Sequence, residues 1–183
     1  ETKPYVSRST CSAITTNYGV AGKAPGVSSK KALYLDTETT GTDPARHAVV
    51  QIAGLVEVDG RVEQTINLYS RPGDRDVTPE ALKVIEKTEL ELSGYPEPEE
   101  TLARLKRSLE GHVNPYESTD KFTFVAYNAM FDWDFLRAWW RLTGDKYFRS
   151  YFHWPPLCAM QRACYVLHEE GRRLESYRQT AVA

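Results

Sequence analysis

Short apolar runs separated by turn clusters fill the first half of the chain, and apolar stripes at helical spacing dominate the second. Ala32-Leu33-Tyr34-Leu35-Asp36 lies between a Lys-Lys pair and a Thr/Gly/Asp/Pro cluster, which predicts a buried strand. Residues 48–58 and 62–69 read as the second and third strands. They flank Asp59-Gly60, a dipeptide that supplies positive φ in tight hairpins, so the three strands are expected to form a meander. Val77-Thr78-Pro79-Glu80 predicts a short helix capped by Thr78 with Pro79 in its first turn and Leu82, Val84 and Ile85 as its apolar positions. Leu102, Leu105 and Leu109 form one stripe within residues 98–111, which predicts a longer helix. Phe122, Phe124 and the run to Tyr127 read as a fourth strand. Phe131, Phe135, Leu136, Trp139 and Trp140 then fall at helical spacing. A last helix is expected over residues 157–169, with part of another in 172–183. The order βββαβα points to the α/β class, a mixed sheet with helices packed on it.

Residues 1–31 show neither period and few large apolar side chains, so they read as a flexible arm or linker before a single domain spanning 32–183. The chain opens on Glu1 rather than Met, as expected if residues precede it or if it is a piece of something longer.

Composition narrows the class. With 183 residues, 41% hydrophobic and 26% charged, the chain has the make-up of one ordinary globular domain with a real core. No apolar run approaches the roughly 20 residues that span a bilayer, and the N-terminus lacks the zones of a signal peptide. A soluble, cytoplasmic protein without membrane contact is expected. Cys11, Cys158 and Cys164 are too few and scattered for a disulfide framework. The net charge of −2 conceals an uneven distribution: residues 1–31 carry +4, residues 32–120 carry −9 and residues 121–183 carry +3. A polyanion is expected to approach the two ends of the chain rather than its middle.

The chemistry concentrates in Leu35-Asp36-Thr37-Glu38-Thr39-Thr40-Gly41. Residues two apart on a strand share a face, so Asp36 and Glu38 present paired carboxylates at the end of a buried strand. Sharing a divalent cation such as Mg²⁺ or Mn²⁺ removes the cost of that pairing; the plainer reading is a solvated Asp and a capping Glu. The second cluster runs from Val125 to Leu136. In it Asn128 follows a strand and Asp132 sits in the first turn of a helix, where capping is the structural alternative to a functional role.

These two segments resemble the DnaQ-like DEDD exonucleases. Asp36-Thr37-Glu38-Thr39-Thr40-Gly41 is similar to the family's first motif, Asp-x-Glu followed by Thr-Gly, and the segment from Asn128 through Leu136 to its second. Gln51-Ile52-Ala53, the Val77 to Glu80 turn and the Leu102 to Leu109 helix match in kind and order. The resemblance implies a ribonuclease H-like fold and a metal-dependent 3′-to-5′ exonuclease acting on the 3′ ends of single-stranded DNA or RNA, alone or within a larger nucleic-acid-processing complex. It also implies Asp36, Glu38 and Asp132 as catalytic metal ligands, with Thr39 and Asn128 near the substrate. Two Mg²⁺ or Mn²⁺ ions about 3.5 to 4 Å apart suit such a carboxylate set. Tyr127 stands where many relatives have His, a position that supports the ligands rather than binding metal.

The family's third motif, a His or Tyr base followed four or five residues later by a carboxylate, has no clear counterpart. Leu174-Glu175-Ser176-Tyr177 resembles the segment that precedes it, Ala181 stands where Tyr177 would call for Asp, and His168 is followed by Arg172. Two hypotheses follow: an exonuclease, or a catalytically impaired member of the fold that binds nucleic acid or acts as a scaffold. Two lesser candidates are Cys164 with His168 as metal ligands, against a plain core reading, and the aromatics Trp133, Trp139, Trp140, Tyr151, Phe152 and Trp154. Interleaved with Arg137, Arg141, Lys146 and Arg149, these could stack bases, against core and rim packing, which the helical spacing favours.

Overall fold

Burial alternates along β1 (Lys31–Thr39): Leu33, Leu35, Thr37 and Thr39 are buried, while Tyr34 and Asp36 are exposed and Glu38 is half-buried. That period of two places β1 at the centre of a five-stranded sheet of order β3-β2-β1-β4-β5 in the computed structural model, which describes residues 29–172 and 176. The strand begins at Lys31, one residue inside the expected arm; the arm up to residue 28 lies outside the described residues. Lys31 is itself anchored, its ammonium group bonded to Asp120 and to the His112 carbonyl.

β2 (Val49–Val58) runs antiparallel to β1, and β3 (Arg61–Tyr69) antiparallel to β2. Asp59 and Gly60 take φ of 50° and 82° between them, the left-handed pair that a two-residue hairpin needs. The meander is thus as expected. β4 (Thr123–Ala126) pairs parallel to β1, and β5 (Leu157–Cys158) parallel to β4.

Of the helices, α1 is Pro79–Ile85, α2 Glu89–Ser93, α3 Pro98–Glu110, α4 Ala129–Leu142 and α5 Ala159–Glu169. Leu102, Leu105 and Leu109 of α3 are buried in the main core, as their spacing predicts. α4 adds Trp133, Phe135, Leu136, Trp139 and Trp140, packed with Phe122, Phe124, Phe148 and Phe152 through many edge-on ring contacts. Most of the aromatics are therefore core.

α1 starts at Pro79 and is capped by Thr78 as expected; none of its residues is fully buried, Val84 is 79% exposed, and Leu82 and Ile85 border a small second cluster of Ala48, Val50 and Leu92. α2 was not anticipated, although Thr88 and Glu91 form a capping box that announces it. Leu157 and Cys158 are strand rather than helix: Pro155 and Pro156 precede them, and both residues pair with Val125 and Ala126. Of the C-terminal segment 172–183, only residues 172 and 176 are described.

Candidate active site

The parallel pairing of β1 with β4 ends at Tyr34 and Val125, and beyond it the end of β1 is met by the start of α4 instead. There the backbone N–H of Thr37 and its hydroxyl both donate to the same oxygen, Oδ1 of Asp132, each at 2.9 Å. The period-two strand turns Thr37 inward and its neighbours Asp36 and Glu38 to the opposite face, so one residue's bond to Asp132 brings all three carboxylates to the C-terminal end of the central strand.

Their electrostatics are coupled. Asp132 is 2% exposed, and burial, with the charge of Asp36 adding to it, raises its pKa to about 6 against the opposing pull of the Thr37 bonds. Burial lifts Asp36 above the ordinary carboxylate range, and burial with the Asp36 charge does the same for Glu38. Asp36 thus interacts with both of the others. Hard oxygen donors whose charges repel one another are a donor set that a divalent cation relieves. As the side chains stand, no three His, Cys, Asp or Glu residues among those described are gathered into a group that could hold an ion.

The other expected residues fall around this point. Thr39 is buried, donates to the Gly41 carbonyl at 2.7 Å and lines a cavity of about 500 Å³ with Glu38, Thr78, Ala81, Ile85 and Phe131. Phe131 thus faces a cavity while its partner Phe135 is buried in the core, their ring centroids 4.7 Å apart. Asn128 precedes α4 in the left-handed region, φ 61° and ψ 49°, which Asn tolerates better than most residues, and its side chain does not cap the helix. Capping therefore does not explain Asn128. Asp132 is likewise engaged across the sheet end by Thr37.

Two positions at this end of the sheet were not singled out from the sequence. Thr37 lies between two acids, and its inward phase on the strand was the available signal. His47 lies against Gly41 so closely that a Cβ there would fall 2.3 Å from the ring, so the Thr-Gly of the first motif is a packing requirement. Thr40 and Thr78 complete this corner: Thr78 donates its N–H and hydroxyl to the Thr40 carbonyl, at 2.9 and 3.1 Å, and caps α1 through Ala81 N–H. The loop after β1 and the helix across the cavity are thereby joined. The lesser metal candidate gains nothing: Cys158 and Cys164 are half-buried free thiols, and neither they nor His168 belong to a ligand group among the described residues.

A five-stranded mixed sheet of this order, with carboxylates at the end of its central strand, is the ribonuclease H-like architecture of nucleases. The family model described as Exonuclease (RNase_T) matches residues 33–163, and the chain belongs to that family, the DnaQ-like exonucleases. Membership implies dependence on a divalent metal. The 3′-5′ DNA exonuclease Cap18 of Escherichia coli is 26% identical over 117 residues, which are 62% of this chain and 59% of that protein. The chain thus matches less than two thirds of that relative's length. The metal-free complex of E. coli exonuclease I with single-stranded DNA superposes with a TM-score of 0.64 at 22% identity, covering 84% of this chain and 34% of that one. Its zinc-bound form gives 0.63 at 23%, covering 81% and 33%. No helix among the described residues is long and apolar enough to cross a membrane.

Proposed function

We propose that this chain is a 3′-to-5′ exonuclease of single-stranded DNA that works with Mg²⁺ or Mn²⁺ in the cytoplasm. The observation that carries the reading is the pair of bonds from Thr37 to Asp132, which joins the two motifs into one acidic end of the sheet. Asp36, Glu38 and Asp132 would hold the metal, which when bound supplies an activated water and stabilises the leaving 3′-oxygen. The protein's own part is positional. Thr37 sets the Asp132 carboxylate, and the cavity beside Glu38 and Thr39 gives a terminal nucleotide an apolar wall in Ile85 and Phe131. Its relatives Cap18 and exonuclease I, a DNA exonuclease and a protein solved with single-stranded DNA, support DNA over RNA as substrate.

The second reading, a catalytically impaired binding or scaffold module, is favoured by one observation: among the described residues no three His, Cys, Asp or Glu side chains are gathered closely enough to hold an ion. A 5′-labelled single strand incubated with excess protein separates the two. The exonuclease shortens it stepwise from the 3′ end with Mn²⁺ or Mg²⁺, stops with EDTA and loses activity on Asp36→Asn. Strand binding without any metal-dependent shortening would replace this reading with the second.

A further inference from the structure

Of the six aromatic side chains named above as possible base-stackers, the structure buries all but Trp154; Tyr147, beside Lys146, is exposed as well. Trp133, Trp139 and Trp140 are 1%, 4% and 0% exposed, whereas Trp154 is 52% exposed. Its indole does not hang free. It packs on Trp133 with ring centroids 5.3 Å apart, and Trp133 is held from behind by Phe124 at 5.4 Å and Phe148 at 4.8 Å. The preceding backbone is pinned as well, since His153 N–H donates to the Phe122 carbonyl at 2.9 Å next to the Phe122–Phe152 bridge. An exposed aromatic face on so rigid a backing loses little conformational freedom when a ligand stacks on it.

The setting says which ligand. Trp133, the support of this indole, follows Asp132 on α4, whereas the Phe122–Phe152 bridge ties the segment of Trp154 to the start of β4, so the platform lies towards the opposite end of the sheet from the carboxylates, within the span of a strand several nucleotides long. Arg149 and His153 are exposed in the same segment, and Lys121 joins it through a 2.8 Å bond to the Arg149 carbonyl. Residues 121–183 carry +3 against −9 for residues 32–120. An aromatic face flanked by cationic side chains is how proteins hold single strands without reading their sequence, because every base has a π-face.

We propose that Trp154 is a base-stacking site for the single strand, engaging a nucleotide several positions to the 5′ side of the one being removed. This deepens the exonuclease reading and rests on it for the direction of the strand. The site acts on binding and on retention of longer strands, and makes no contact with the scissile bond.

The test uses the full chain and oligothymidylate. Without metal and with EDTA, the strand should quench tryptophan emission, because Trp154 is the one indole of the four with an open face; Trp154→Phe should remove the quench and keep the affinity. Trp154→Leu, which keeps an apolar contact with Trp133 but no π-face, should weaken binding roughly 5- to 100-fold. With Mn²⁺ the same variant should raise KM for the oligomer with little change in kcat, and should cleave the p-nitrophenyl ester of thymidine 5′-monophosphate like the wild type. Equal affinity of wild type and Trp154→Leu for the oligomer, or equal loss on both substrates, would overturn the proposal. The two readings fail separately: a wild type that binds through Trp154 yet cleaves nothing overturns the exonuclease, and normal cleavage indifferent to Trp154→Leu overturns the stacking site alone.

Discussion

Thr37 holds Asp132 through two bonds to a single carboxylate oxygen, one from its backbone N–H and one from its hydroxyl. The backbone bond depends only on the path of β1, but the hydroxyl bond depends on residue type. Thr37→Val keeps the shape and removes one charge-assisted bond, an interaction worth roughly 1.5–3 kcal/mol. Mn²⁺ affinity and turnover should each fall about tenfold, with Thr37→Ser retaining most of both. Calorimetric titration and single-turnover cleavage check this, and unchanged values for the valine variant would remove Thr37 from the site.

The raised pKa of Asp132 makes the metal-free protein pH-sensitive. Its folded pKa of about 6 lies above the unfolded value near 3.9, so the stabilisation from the bound proton is complete below about pH 4 and lost as pH rises through 6. About two pH units correspond to roughly 3 kcal/mol. In EDTA, Tm should therefore decline between pH 4.5 and 7, and Asp132→Asn, which still accepts from Thr37, should flatten that decline and melt higher at pH 7.5. A parallel decline in both proteins would assign the effect elsewhere.

Charge counting limits the metals. Asp36, Glu38 and Asp132 supply −3 against the +4 of two divalent ions, so calorimetry should show one Mn²⁺ bound firmly and a second only weakly until substrate phosphate is present. Cleavage by this chain should accordingly be slow, since the third motif's His or Tyr base has no clear counterpart in the sequence and loss of a general base typically costs about 10²–10⁴ in rate. Two equally firm ions would mean that another side chain, with Glu169, Glu170 and Glu175 nearest in the chain, completes the set; of these Glu169 accepts from Tyr165 on its own helix, and Glu175 lies outside the described residues.

Gly41 is fixed by its neighbour. A methyl group at that position would stand 2.3 Å from the His47 ring, an overlap expected to cost about 1–3 kcal/mol, or roughly 3–10 °C in Tm at this size. The double variant Gly41→Ala with His47→Ala should recover much of the loss relative to His47→Ala alone. Additive losses would show that the clash is relieved some other way.

Periodicity determined much of this protein by itself. The alternation in β1, the Asp59-Gly60 hairpin and the leucine stripe of α3 are local signals, set by strand and helix geometry within a few residues, and each appears where its pattern placed it. Asp36 and Glu38 were legible for the same reason, since a period of two is enough to put them on one face. An element whose existence depends on a partner was not: β5 is two residues long and exists because β4 offers it an edge. The site divides along the same line. Which residues are acidic is written in the chain, but that Asp132 meets Thr37, that His47 closes on Gly41, and that Trp154 alone of four tryptophans stays open are contacts between distant segments. Their energies arise only after the sheet has brought those segments together, so tertiary packing decided them.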